Sequence, residues 1–143
     1  MLGYSYTTVF SQHEIDLYNR ATKIVENIPE AVNGEVLRCH EVTRVISTLI
    51  GLPYTDGKFG AVEHSWLWTS TARDGEYPGN ILDVYCVGRL PMVQLIGYGI
   101  PGVEFISSRS LYTCYPFPRK DILNTTVDTI LYILREHGYV RVH

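Results

Sequence analysis

Apolar residues recur at helical spacing in three stretches of the chain and alternate in two others, a pattern that predicts both helices and strands. In the first helical stretch, Ile15, Tyr18, Ala21, Val25 and Ile28 share one stripe. It is opened by Ser11-Gln12-His13-Glu14, which has the form of a capping box, and stopped by Pro29. The second stretch, Glu35 to Ile50, carries Val42, Val45, Ile46 and Leu49 and ends at Gly51 with Pro53 just beyond. Cys39, three residues before Val42, falls in its early part and on the same buried stripe, and Asn33-Gly34 reads as a turn between the two helices. The third, about Lys120 to His137, places Leu123, Val127, Ile130, Leu131 and Leu134 on one face and is closed by Gly138.

Alternation marks Val62 to Thr69 and Ile81 to Val87 as strands. Asp56-Gly57 and Gly60 predict a loop before the first of them, and Asp74-Gly75 and Pro78-Gly79 supply hairpin punctuation between the two. YSYTTVF at 4 to 10 reads as a strand or extended lead-in; Met92 to Ile96, Val103 to Ile106 and Tyr139 to Val142 are further short strands. There is no internal repeat. The fold class is α+β, helices packed on a mainly antiparallel sheet, and 143 residues suit a single domain with its own core.

Composition narrows the functional classes. The 12 basic residues are scattered instead of clustered and the formal net charge is -3, which argues against nucleic acid as a partner. The most apolar stretch, 81 to 106, is broken by Asp83, Arg89, prolines and glycines, so no membrane span or membrane partner is expected. The opening residues resemble neither a signal peptide nor a myristoylation start, and a cytoplasmic location follows. Three cysteines without CxxC spacing indicate free thiols, with Cys86 and Cys114 as small buried hydrophobes.

The chemistry lies in EHSWLW at 63 to 68. His64, Trp66 and Trp68 share one strand face, and Ile81, Asp83, Tyr85 and Val87 share one face of the next strand. A hairpin centred between Arg73 and Asp74 sets 64 opposite 83; one turning at Asp74-Gly75 sets 66 opposite 83, with Asp83 diagonal to His64. In both registers the carboxylate orients the imidazole and stabilises its protonated form. A thiolate near a helix N-terminus is favoured by the helix dipole, which makes Cys39 the nucleophile, His64 the general base and then acid, and Asp83 the orienter. The amide of Cys39 with a side-chain donor, Asn33, Tyr85 or Trp66, would hold the oxyanion. Trp66 is expected at the cleft wall, and Arg89, beyond the Asp83 strand, is either a clamp for a substrate carboxylate or phosphate or a surface ion pair.

RCHEVTRV at 38 to 45, EHSWLW at 63 to 68 and ILDVY at 81 to 85, in the order Cys, His, Asp, resemble the papain-like cysteine enzymes, above all their compact transglutaminase-like branch. His64-Ser65-Trp66 and Leu82-Asp83 match that branch's H-small-W and LD strands, and Cys39 matches its nucleophile. Cys39 is followed by His40 where the family often carries an aromatic or small residue. The resemblance implies a papain-like core and thiol chemistry at an amide, isopeptide or ester bond of a peptide, protein side chain or small amide: hydrolysis, deamidation or acyl transfer. No cofactor is required. Two other readings use the same residues: a metal site from Cys39, His64 and Asp83, and a non-catalytic binding module whose pocket is lined by some of the 11 tyrosines and 2 tryptophans.

Overall fold

The computed structural model describes residues 10–29, 31–32, 34–70, 79–87, 90–97, 112–113 and 124–140, with backbone only for 35, 85–87, 90 and 91. The strands expected within 4 to 10 and Val103 to Ile106 therefore lie outside the described residues, apart from Phe10. Among those residues the chain runs α1 (Gln12–Glu26), β1 (Ala31–Val32), β2 (Glu35–Val36), α2 (Cys39–Ile50), β3 (Tyr54–Phe59), β4 (Val62–Trp68), β5 (Ile81–Val87), β6 (Leu90–Ile96), β7 (Tyr112–Thr113) and α3 (Asn124–Glu136). Strands β3 to β7 form one antiparallel sheet in the order β6-β5-β4-β3-β7. The fold class is α+β.

Local chemistry accounts for the helix ends. Ser11 accepts a hydrogen bond from the Glu14 amide while Glu14 accepts one from the Ser11 amide, completing the capping box. Glu14 also accepts from Thr69 and Asn80, so the same carboxylate pins the start of α1 to the ends of β4 and β5. Helix α2 ends at Gly51, whose φ of 84° is open to glycine at little cost. At the end of α3, the Gly138 amide bonds to the Arg135 carbonyl and the Tyr139 amide to the Leu134 carbonyl. That Schellman closure replaces the strand expected from Tyr139; Tyr139 and Val140 belong to no strand.

Two other boundaries differ from the sequence reading. The second helix begins at Cys39, not Glu35, because Glu35 and Val36 pair with Val32 and Ala31 in a two-residue hairpin. Cys39 thus opens the helix and is only partly buried, instead of sitting inside the buried stripe. The loop expected around Asp56-Gly57 is the middle of β3, paired residue for residue with β4, and the chain turns at Gly60 and Ala61 instead. Gly57 is there for space: an added Cβ would come within 2.5 Å of both the Trp66 ring and the Thr113 carbonyl oxygen. Pro91 lies on β6, an edge strand, where a missing amide donor costs least.

Alternation along β4 and β5 divides the sheet into two buried faces. Leu67, Leu82, Val84 and Leu95 join the helices in the main core with Leu17, Ile24, Val42, Val45, Ile46, Ile130 and Leu134. Trp66, Trp68, Ile81, Ile96 and Tyr112 form a separate cluster on the other face, with Phe59 packed against it. Because β4 is covered on both sides, a polar residue there must find a partner. No helix among the described residues is long and apolar enough to cross a membrane.

Gly57→Ala is expected to lower stability by about 1–3 kcal/mol, since backbone and a packed indole cannot both yield to the added methyl. Urea unfolding followed by tryptophan fluorescence measures this; an unchanged midpoint would show that β3 and β7 do not crowd Gly57.

Candidate active site

Strand pairing brings the aspartate to the histidine. Leu67 pairs with Leu82 and Trp68 with Ile81. Continuing that alignment sets Trp66 opposite Asp83 and leaves Asp83 diagonal to His64, the second of the two registers expected; the alternative with 64 opposite 83 does not occur. The His64 Nε2 lies 2.7 and 2.9 Å from the two carboxylate oxygens of Asp83. Asp83 is 3% exposed, and Oδ2 also accepts a hydrogen bond from the hydroxyl of Tyr112 on β7. An unpaired carboxylate at that depth would cost several kcal/mol; the imidazole and phenol supply its partners.

With Nε2 held by Asp83, Nδ1 is the His64 nitrogen left to face Cys39. Burial alone would push the Cys39 thiol up, yet hydrogen bonds and charge from His40 and His64 outweigh it and bring the thiol down from 9.0 to about 6. Burial likewise works against a charged His64, but the Asp83 carboxylate and the sulfur raise it from 6.5 to about 10. The two directions describe one object, a thiolate and imidazolium stabilised by each other. Position adds to this, because Cys39 is the first residue of α2 and no side chain caps that N-terminus.

A second polar chain runs behind the sulfur. Arg44 donates from Nη2 to Asp56 Oδ2 at 2.6 Å and from Nη1 to the His40 carbonyl at 3.0 Å. The Ser65 hydroxyl donates to Asp56 Oδ1 at 2.6 Å, and His40 Nδ1 lies 2.7 Å from that hydroxyl. His40 Nδ1 is also 3.8 Å from Cys39 Sγ. Strand β4 therefore addresses the sulfur with consecutive residues: His64 directly from one face, Ser65 through His40 from the other. Ser65, Asp56, Arg44 and Tyr112 were not legible as site residues. Asp56-Gly57 carries the signal of a turn, and Tyr112 reaches Asp83 only through the β3–β7 pairing.

A cavity of about 420 Å³ opens beside His64 and Asp83, with apolar walls from Phe59, Val62 and Ile96 and a polar contribution from Gln94. Trp66, expected at the cleft wall, is fully buried instead; it stacks beneath His64 with ring centroids 6.1 Å apart and packs edge-on against Tyr112 and Trp68. Its indole N–H finds no partner among the described residues. Asn33 and Arg89 lie outside the described residues, as do the side chains of Tyr85 and Cys86 and the whole of Cys114. Among the described residues no three His, Cys, Asp or Glu side chains are grouped to hold a metal ion, so Cys39, His64 and Asp83 do not form such a cluster.

Asp83→Asn is expected to drop the His64 titration midpoint well below about 10, because burial then opposes the charge with only the Cys39 sulfur left to offset it. Imidazole ¹⁵N chemical shifts followed against pH read this directly, and a midpoint still near 10 would remove Asp83 as its source. In comparisons with known proteins, no family model, no curated protein and no solved structure matches this chain, so its function is argued from its own residues.

Proposed function

We propose that the protein is a cysteine-dependent hydrolase or acyltransferase with a papain-like core, acting on an amide, isopeptide or ester bond of a peptide, a protein side chain or a small amide. The observation that carries this reading is the His64 imidazole, held by the buried Asp83 carboxylate at 2.7 Å on Nε2 and near enough to Cys39 to help bring its thiol down to about 6. A solvated cytosol-like, reducing compartment is the setting in which such a thiol persists.

In the resting state the proton already sits on His64. The Cys39 thiolate attacks the carbonyl carbon, forming the C–S bond and a tetrahedral oxyanion, for which the Cys39 amide at the start of α2 is a donor. As the C–N or C–O bond breaks, the imidazolium gives its proton to the leaving amine or alcohol, and a thioester remains on Cys39. Neutral His64 then takes a proton from water or an incoming amine, which attacks the thioester and releases the Cys39 thiolate as leaving group, restoring the thiolate–imidazolium pair. Water yields hydrolysis, or deamidation when the substrate is glutamine; an amine yields acyl transfer. Asp83 holds one tautomer of His64 throughout and is not itself protonated.

The cavity beside His64 favours a second reading, a non-catalytic binding module whose apolar pocket accepts a planar or peptide group. Alkylation separates the two, since binding in that cavity survives modification of Cys39 unless the added group blocks it.

Activity is expected between limbs near pH 6 and pH 10, rising as the thiolate forms and falling as His64 loses its proton. Activated esters and peptide amides, with intact-mass detection of an acyl adduct, measure this. Cys39→Ala is expected to abolish adduct formation with the fold retained, and Asp83→Asn to slow turnover by on the order of 10³–10⁴-fold. An adduct absent from wild type across the panel, together with iodoacetamide labelling of Cys39 at an ordinary thiol pH, would sink the enzyme reading.

A further inference from the structure

His40 stands beside the nucleophile, is 6% exposed, and belongs to none of the three roles above. Its proton can be placed by following the chain of donors behind it. Asp56 is a carboxylate and only accepts. The single hydroxyl proton of Ser65 is committed to Asp56 Oδ1 at 2.6 Å, so the 2.7 Å contact between Ser65 Oγ and His40 Nδ1 must be donated by His40. Arg44 closes the sequence by neutralising Asp56 and gripping the His40 carbonyl. The result is an imidazole with a proton locked on Nδ1, and that same N–H lies 3.8 Å from Cys39 Sγ, within reach of the larger sulfur atom.

We propose that His40 is a second hydrogen-bond donor to the reacting sulfur, and that Ser65, Asp56 and Arg44 are positioning residues that fix its tautomer and aim. This rests on Cys39 being the nucleophile. The donor differs in kind from His64. His64 gives up its proton during turnover; His40 keeps its Nδ1 proton, which is shared between the hydroxyl and the sulfur. The sulfur therefore retains one donor while His64 is neutral in the acyl-enzyme, and has two when the thiolate is released and His64 is protonated again. The groups around the pair agree with this assignment. From β4 come His64, backed by Asp83 on β5 and Tyr112 on β7, and Ser65; from β3 comes Asp56, already paired with Arg44. At the start of α2, Arg38 and Glu41 are bonded to each other at 2.5 to 2.8 Å.

The test is the rate of iodoacetamide labelling of Cys39 against pH, resolved by peptide mass spectrometry, in wild type, His40→Ala, His40→Asn and Ser65→Ala. His40→Ala is expected to move the labelling midpoint up by about one pH unit, an approximately fivefold loss of rate at a pH equal to the wild-type midpoint. His40→Asn, whose amide keeps an N–H close to the Nδ1 position, should restore the wild-type midpoint. Ser65→Ala should shift it in the same direction as His40→Ala by a smaller amount, although Ser65 does not touch the sulfur. A merely structural role for His40 predicts slower labelling in unfolded fractions but no shift in midpoint and no rescue by asparagine. An unchanged midpoint in folded His40→Ala, or equal shifts in the alanine and asparagine variants, overturns the proposal alone. Should His40→Ala fail to fold, Ser65→Ala and His40→Asn decide the question by the same criteria. A wild-type midpoint at the ordinary thiol value overturns the nucleophile reading itself and this inference with it.

Discussion

The buried contact between Asp83 and His64 is the interaction on which the rest of the site depends. Asp83 sits in ILDVYCV, a strand whose neighbours Leu82 and Val84 are fully buried in the helix-facing core. Removing a carboxylate from water at that depth is worth several kcal/mol of penalty, so the fold tolerates it only with a partner of opposite charge and with hydrogen bonds on both oxygens. His64 satisfies both oxygens and Tyr112 adds a donor to one of them. A cost of that size has a second consequence: it holds the imidazole charged and in one orientation, which is the condition under which a nearby thiol ionises.

Packing around this pair explains why it is rigid. Trp66 stacks below the imidazole, Phe59 and Tyr112 meet it from neighbouring strands, and Gly57 leaves the gap that the Trp66 ring occupies. The aromatic cluster on this face thus serves as a mould for the histidine, while Phe59 and Tyr112 also line the cavity beside it. The apolar cavity beside the pair lies along the same wall, so a bound group would sit next to the proton-carrying side chain.

On the other face of β4, the chain from Arg44 through Asp56 and Ser65 to His40 orients the His40 imidazole as Asp83 orients that of His64. Each imidazole has its tautomer set by an acceptor farther from the sulfur. The first residue of α2 lies between them, where the helix N-terminus adds a third favourable field. Three independent sources of stabilisation for one thiolate are more than a buried structural cysteine requires.

The parts of this protein that the chain determines by itself are those set by neighbours in sequence. The capping box at Ser11 and Glu14, the apolar stripe of α2, the glycines closing α2 and α3 and the alternation of β4 and β5 all depend on backbone geometry within a few residues, and they appear where the pattern placed them. Cys39, His64 and Asp83 were legible because helix onset and strand parity constrain which faces they share. Tertiary structure decided what local rules leave open. An Asp-Gly pair favours a turn in isolation, yet pairing with β4 and the space demanded by Trp66 make it the middle of a strand, which carries Asp56 to Ser65. Choosing between two hairpin registers required the whole sheet, since both satisfy the alternation. Tyr112 reaches Asp83 across 29 positions of chain, and His40 reaches Ser65 across 25, contacts that no periodicity encodes. Local geometry supplied the reactive residues, and burial with long-range pairing supplied the partners that set their protons.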